Sequence, residues 1–147
     1  MDEVMSVKDF LYTPRRIYSQ IVVQREKINA LRLGMLPSAI RYDKDPVQTS
    51  PTDPMPEYVA KLDEAERELS SLMERYHRAI GEVCEMICHV PDRRAQIVLV
   101  KRYLSGKSWS LIEDECQTSR RTVFRQNRMG VRLIADFLVK NKSHFCH

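Results

Sequence analysis

Glycine is scarce in this chain, four residues in 147, and aromatic residues make up only 7%. Sheet proteins draw on both, glycine at the tight turns between strands and aromatic side chains along them, so a β fold is argued against. Charge of one sign is also missing: 24 Lys and Arg stand against 20 Asp and Glu, a net +4, so where the charge sits matters more than its sum. No run approaches the ~20 apolar residues needed to span a bilayer. The start, Met1 to Met5, is acidic and lacks the basic opening of a signal peptide. A cytoplasmic protein with no membrane partner is expected, its four cysteines reduced and its Asn141-Lys-Ser sequon unglycosylated.

Catalytic patterns are missing as well. There is no Ser-His-Asp set, no metal-activated water motif and no paired buried carboxylates, so an enzyme is not expected. Cys84, Cys88 and His89 lie at helical spacing and Cys146-His147 ends the chain, but a C-x2-C knuckle is absent. Buried reduced thiols are expected, with no metal and no cofactor. Gly106-Lys107-Ser108 echoes a phosphate loop, yet Lys101 stands where its first glycine belongs and a helix precedes it.

What is present is helical. Hydrophobic residues reach 43% and charged ones 30%, with few β-branched runs. Thr13-Pro14 has the form of an N-cap followed by proline at the first helical position. Beyond it Ile17, Ile21, Gln24, Ile28, Leu31 and Met35 recur at steps of three and four, which predicts a helix from Pro14 to Met35. Residues 4–12 add at most a short helical turn. Residues 34–56 carry Pro37, Pro46, Pro51, Pro54 and Pro56 without periodicity and are expected to be a loop. From Glu57 to Val90 a second stripe, Leu69, Met73, Tyr76, Ile80, Val83, Ile87 and Val90, follows a 3.5-residue repeat. Two stripes joined by a loop predict an antiparallel hairpin, a homodimer, or both.

Pro91 stops that helix and Asp92 caps the next, Arg93 to Leu104, with Gly106 as its terminal glycine. Ser108 caps a short helix, Trp109 to Cys116, expected to bury Trp109, Ile112 and Cys116. Thr118 or Ser119 caps the last, which runs to Val139 with Val123, Val131, Ile134 and Leu138 inward. The expected fold is all-α: a long antiparallel helical hairpin over residues 1–90, a C-terminal helix-turn-helix over 91–142, and a tail, 143–147.

A capped helix after a short helix and a three-residue turn is the helix-turn-helix pattern. From Thr118 to Lys142 the bases are Arg120, Arg121, Arg125, Arg128, Arg132, Lys140 and Lys142 against Asp136 alone. Between Glu57 and His89, by contrast, acids outnumber bases by eight to four. Arginine neutralises phosphates and its planar fork fits guanine in the major groove. Double-stranded DNA is therefore the expected partner, with Ser119, Arg120, Arg121, Thr122, Arg125 and Arg128 as the contacting residues.

The segment SWSLIEDECQTSRRTVFRQNRMGVRLI, residues 108–134, resembles the fourth conserved region of sigma factors, through Ile112, Ser119, Arg120, Val123, Val131 and Ile134. Over residues 10–138 the chain more closely resembles small sigma-like late transcription regulators of phages and prophages, of the RinA and ArpU kind. RYDKDPVQTSP at 41–51, the long charged helix, and RYLSGKSW at 102–109 carry that likeness. The resemblance implies a sequence-specific regulator of phage genes with RNA polymerase as a second partner. Three positions depart from the sigma pattern: Glu113 replaces a small residue at the helix crossing, Gln117 the turn glycine, and Gln126 an apolar residue facing the core. In the loop, Asp43, Asp45 and Gln48 are candidates for partner binding, held by Tyr42, Val47 and the prolines. Two other functions fit the pattern: a DNA-packaging protein like a small terminase subunit, and a polymerase-binding adaptor that uses the hairpin alone.

Overall fold

The computed structural model describes residues 2–35 and 54–145, with side chains for 6–35 and 54–141. The loop candidates Asp43, Asp45 and Gln48, and Cys146-His147, lie outside the described residues. The described chain is all-helical and contains no strand. Its helices are α1 (Asp2–Gly34), α2 (Met55–Cys88), α3 (Arg93–Leu99), α4 (Trp109–Cys116) and α5 (Arg120–Phe145), with a π turn, Val100–Leu104, continuing α3.

The first helix does not begin at Pro14. It starts at Asp2 and carries Pro14 in its interior, where a missing N–H and a ring clash cost about 3 kcal/mol. Val7 and Leu11 explain why the helix persists. They extend the inward stripe backwards and are buried, as is Pro14 itself, and each large apolar side chain removed from water stabilises by about 1.5–3 kcal/mol. Thr13, the expected cap, instead donates its hydroxyl to the Asp9 carbonyl one turn back, at 3.0 Å. In α2, Pro56 falls in the first turn, where no intrahelical N–H bond is lost.

The chain divides into two compact units, Ser19–Glu74 and the combination of Met1–Tyr18 with Arg75–His147. In the first, Ile21, Ile28 and Ala65 are buried together with Gln24, the one polar residue of its stripe. Gln24 is satisfied there: its Nε2 donates to the Ala65 carbonyl at 2.9 Å and to Glu68 Oε2 at 3.1 Å. Arg32 pairs with Glu66 at 3.1 Å nearer the end of α1.

The second unit holds the larger core. Val7 and Leu11 of α1, Val83 and Ile87 of α2 with Val90 beyond it, Ala95 and Leu99 of α3, Tyr103, and Val131, Ile134 and Ala135 of α5 form one cluster. This core runs across residue 90, where the sequence suggested a domain boundary. Local chemistry stops the elements where expected. His89 N–H and Val90 N–H close onto the Met86 and Ile87 carbonyls before Pro91, and Gln96 Nε2 donates to the Val90 carbonyl at 2.7 Å. Asp92 caps α3 by accepting from Arg94 N–H at 2.8 Å and Ala95 N–H at 3.3 Å. Residues 93–104 are not one regular helix, however: Ser105 N–H reaches the Val100 carbonyl, a π spacing, at 2.9 Å. Gly106 then takes φ +68°, and a Cβ there would collide with the Arg15 side chain.

Gly130 sets the approach of α5 to α3. A Cβ at this buried position would stand 2.7 Å from Leu99 Cδ1, and Leu99 is itself fully buried. Gly130→Ala should therefore lower the melting temperature, with overpacking of about 1–3 kcal/mol exceeding the gain in helix propensity. Gly81→Ala is the control, because nothing lies within 4 Å of a Cβ there. It should raise stability by up to about 1 kcal/mol. Thermal melts of both variants check the contrast, and a rise in Gly130→Ala would refute the close crossing.

Candidate functional site

The short helix α4 is bounded by two capping devices. Ser108, extended at φ −68° and ψ 156°, accepts from Leu111 N–H at 3.2 Å. At the other end Gln117 adopts the left-handed conformation, φ 51° and ψ 47°. Thr118 N–H then bonds the Glu113 carbonyl at 3.2 Å and Gln117 N–H the Asp114 carbonyl at 3.3 Å, the Schellman closure. The glutamine thus performs the glycine's turn at a conformational cost. Ser119, rather than Thr118, caps α5: its Oγ accepts from Thr122 N–H at 3.3 Å and lies 3.0 Å from Thr122 Oγ1.

A small apolar cluster fixes these helices to one another. Ile112 of α4, Val98 of α3 and Val123 of α5 are fully buried, with Trp109 and Cys116 packed against them. Trp109 and Cys116 are only half-buried, less than the sequence suggested. Trp109 instead takes the Arg102 guanidinium over its ring at 4.3 Å and meets Phe124 edge to face at 4.9 Å. Beneath them Asn127, 7% exposed, accepts from the Tyr103 hydroxyl at 2.9 Å. Burial pushes the Tyr103 pKa up to about 12, so the hydroxyl stays a donor across the physiological range.

Two of the three carboxylates on α4, Glu113 and Glu115, are paired within the protein, and Asp114 is exposed. Glu113 Oε2 accepts from Arg120 Nε at 3.1 Å and Nη2 at 3.0 Å, and the same Nη2 reaches Ser110 Oγ at 2.8 Å. Where the sigma pattern has a small residue, this chain has an ionic brace between α4 and α5. Glu115 accepts from Lys101 at 2.6 Å and from Lys107 at 2.8 Å. Hydrogen bonds from both ammoniums hold its carboxyl below the ordinary value, and Glu115 in turn raises Lys101. Lys107, the lysine of the phosphate-loop echo, is thereby committed to a carboxylate.

The remaining arginines differ. Arg121, Arg125 and Arg128 are exposed, and among the described residues none has an ion pair or side-chain hydrogen bond. Steps of four and three put them on one helix face, opposite buried Val123, Asn127 and Val131. Arg132, also exposed, extends that stripe by a further turn. Thr122 and Gln126 are half-buried and line a neighbouring concavity of about 580 Å³ with Lys101, Glu115 and Gln117. The structure thus gathers all six candidate residues at the start of α5, engages Ser119, Arg120 and Thr122 internally, and leaves three arginines unpaired among the described residues. The roles of Asn127 and Phe124 were missed in the sequence, where neither carries charge.

Cys84 and Cys88 are exposed rather than buried. Desolvation first, and Cys88 second, raise the Cys84 thiol. No group of three or more His, Cys, Asp or Glu is placed to hold a metal among the described residues, and no described helix is long and apolar enough to cross a membrane. No family model, curated protein or solved structure matches the chain.

The left-handed Gln117 yields a test of the turn. Because an L side chain in this conformation costs about 1–2 kcal/mol, Gln117→Gly should raise the melting temperature by relieving it. Gln117→Val should lower it, since β-branching makes the conformation costlier still. An equal melting point in all three proteins would show that residue 117 carries no such strain.

Proposed function

We propose that this chain is a sequence-specific transcriptional regulator that binds double-stranded DNA through α4 and α5, acting as a helix-turn-helix. In this proposal α5 is the element that enters the major groove and α4 packs across it. The antiparallel pairing of α1 and α2 forms the hairpin that carries them. The observation that carries the reading is the exposed stripe of Arg121, Arg125 and Arg128, unpaired among the described residues, beside a helix whose Glu113 and Glu115 are already neutralised. Such arginines give a phosphate backbone a counterion-releasing partner and give guanine a bidentate donor. The likeness to phage regulators adds phage or prophage genes as the target class and RNA polymerase as the second partner.

The roles differ along the helix. Arg121 and Arg125, in the first two turns, are the proposed base readers, and Arg128, a turn later, the phosphate contact. Arg120 has its guanidinium engaged by Glu113 and Ser110 and acts in this proposal by holding the angle between α4 and α5. Ser119 and Thr122 build the cap that aims the helix.

Selection of bound sequences from random duplex DNA, at one stated salt concentration, tests the reading directly; enrichment of a motif is expected. On that motif Arg121→Ala and Arg125→Ala should each weaken binding by about 1–3 kcal/mol and relax specificity at one position. Arg128→Ala should weaken all sequences alike and lower the salt slope by about one. Parental affinity in all three variants would overturn the proposal.

A further inference from the structure

The first helix contributes a charge to the face that α5 presents. Lys8 of α1 lines a notch of about 480 Å³ together with Trp109, Arg121, Phe124, Asn127 and Arg128. Three cations from two distant parts of the sequence meet there, and no carboxylate is among the described lining residues. Lys8 is half-buried, and among the described residues it has no ion pair or side-chain hydrogen bond. Asn127 adds a donor: its Oδ1 is taken by the Tyr103 hydroxyl, so the amide NH2 is the end it can offer. Lysine, arginine and an amide NH2 so arranged form a set of donors, complementary to a ligand that only accepts.

The aromatic pair selects among such ligands. Arg102 covers one face of Trp109 at 4.3 Å, and Phe124 meets Trp109 at an interplanar angle of 85°. The two rings are not parallel walls between which a base could slide. They form an apolar side to a cationic notch, which favours a phosphodiester over a stacked nucleobase. The notch also shares Arg121 and Arg128 with the outward stripe of α5, so a backbone strand beside a groove occupied by α5 would pass it.

We propose that Lys8, Arg128 and Asn127 form a clamp for a DNA backbone phosphate, with the base-reading Arg121 at its edge, making the N-terminal helix part of the DNA interface. This rests on the DNA-binding reading and adds to it a residue more than a hundred positions from α5's arginines that contacts DNA without reading sequence. Replacing a phosphate contact should remove about one unit of the salt slope and leave sequence preference unchanged.

The test measures affinity for a mixed-sequence duplex across a salt series, using the full chain. Lys8→Ala and Lys8→Gln, the second retaining much of the stem's packing, should bind about three- to tenfold more weakly at moderate salt and lower the slope by about one. Lys8→Arg should keep the parental slope. If the Lys8 variants kept the parental slope while Arg121→Ala and Arg128→Ala lost affinity, the clamp would be overturned and the DNA reading would stand. Failure of the parent to bind duplex at any salt would overturn both. An unchanged DNA slope with reduced retention on immobilised poly-glutamate would overturn the clamp in favour of an acidic protein partner.

Discussion

Helix α5 approaches α3 as closely as it does because residue 130 has no side chain. Leu99 fills the space a Cβ would need, and Leu99 is fully buried in the core that α1, α2, α3 and α5 share. That one approach fixes the rotation of α5 about its axis. With Val123, Asn127, Gly130, Val131 and Ile134 turned inward, a 3.6-residue period leaves Arg121, Arg125, Arg128 and Arg132 facing out. A rotation by one residue would swing the arginine stripe by about 100° and expose the apolar one.

Charge pairing completes what packing begins. Glu113 and Glu115 could have cancelled the field of the arginines from one turn away. Arg120 engages the first, and Lys101 and Lys107 engage the second. These pairs are partly exposed, and such pairs typically contribute about 0–1 kcal/mol to stability. Their larger effect is on the surface, where two of the three carboxylates of α4 are engaged internally, only exposed Asp114 is left unpaired among the described residues, and the start of α5 keeps more of its positive potential.

Buried polar groups add specificity to an otherwise greasy interior. Gln24 finds the Ala65 carbonyl and Glu68 across the pair of helices, and Asn127 finds Tyr103. A sliding or rotated neighbour would leave each unsatisfied, at a cost of about 1–3 kcal/mol. Arg102 is the exception: its Nε is buried without a partner, while Nη1 donates to the Lys107 carbonyl at 3.1 Å and the guanidinium lies over Trp109. Stacking on an aromatic face suits the weakly hydrated guanidinium and offsets part of that cost.

The sequence by itself determined what depends on a few neighbouring residues. The helical class, the stop at Pro91, the caps at Asp92 and Ser108, the turn at Gly106 and the inward pattern of α5 were legible because period, cap chemistry and φ preference act within a turn or two. Pro14 was misleading for the same reason: locally it is a helix start, and only the burial of Val7 and Leu11 against distant helices carries α1 through it. Tertiary structure alone decided that the core crosses residue 90 and that Arg120 is braced to Glu113. It alone brought Lys8 beside Arg121 and Arg128. Each depends on residues far apart in sequence, or on packing that repays a local cost, and neither shows in the spacing of residues along a chain.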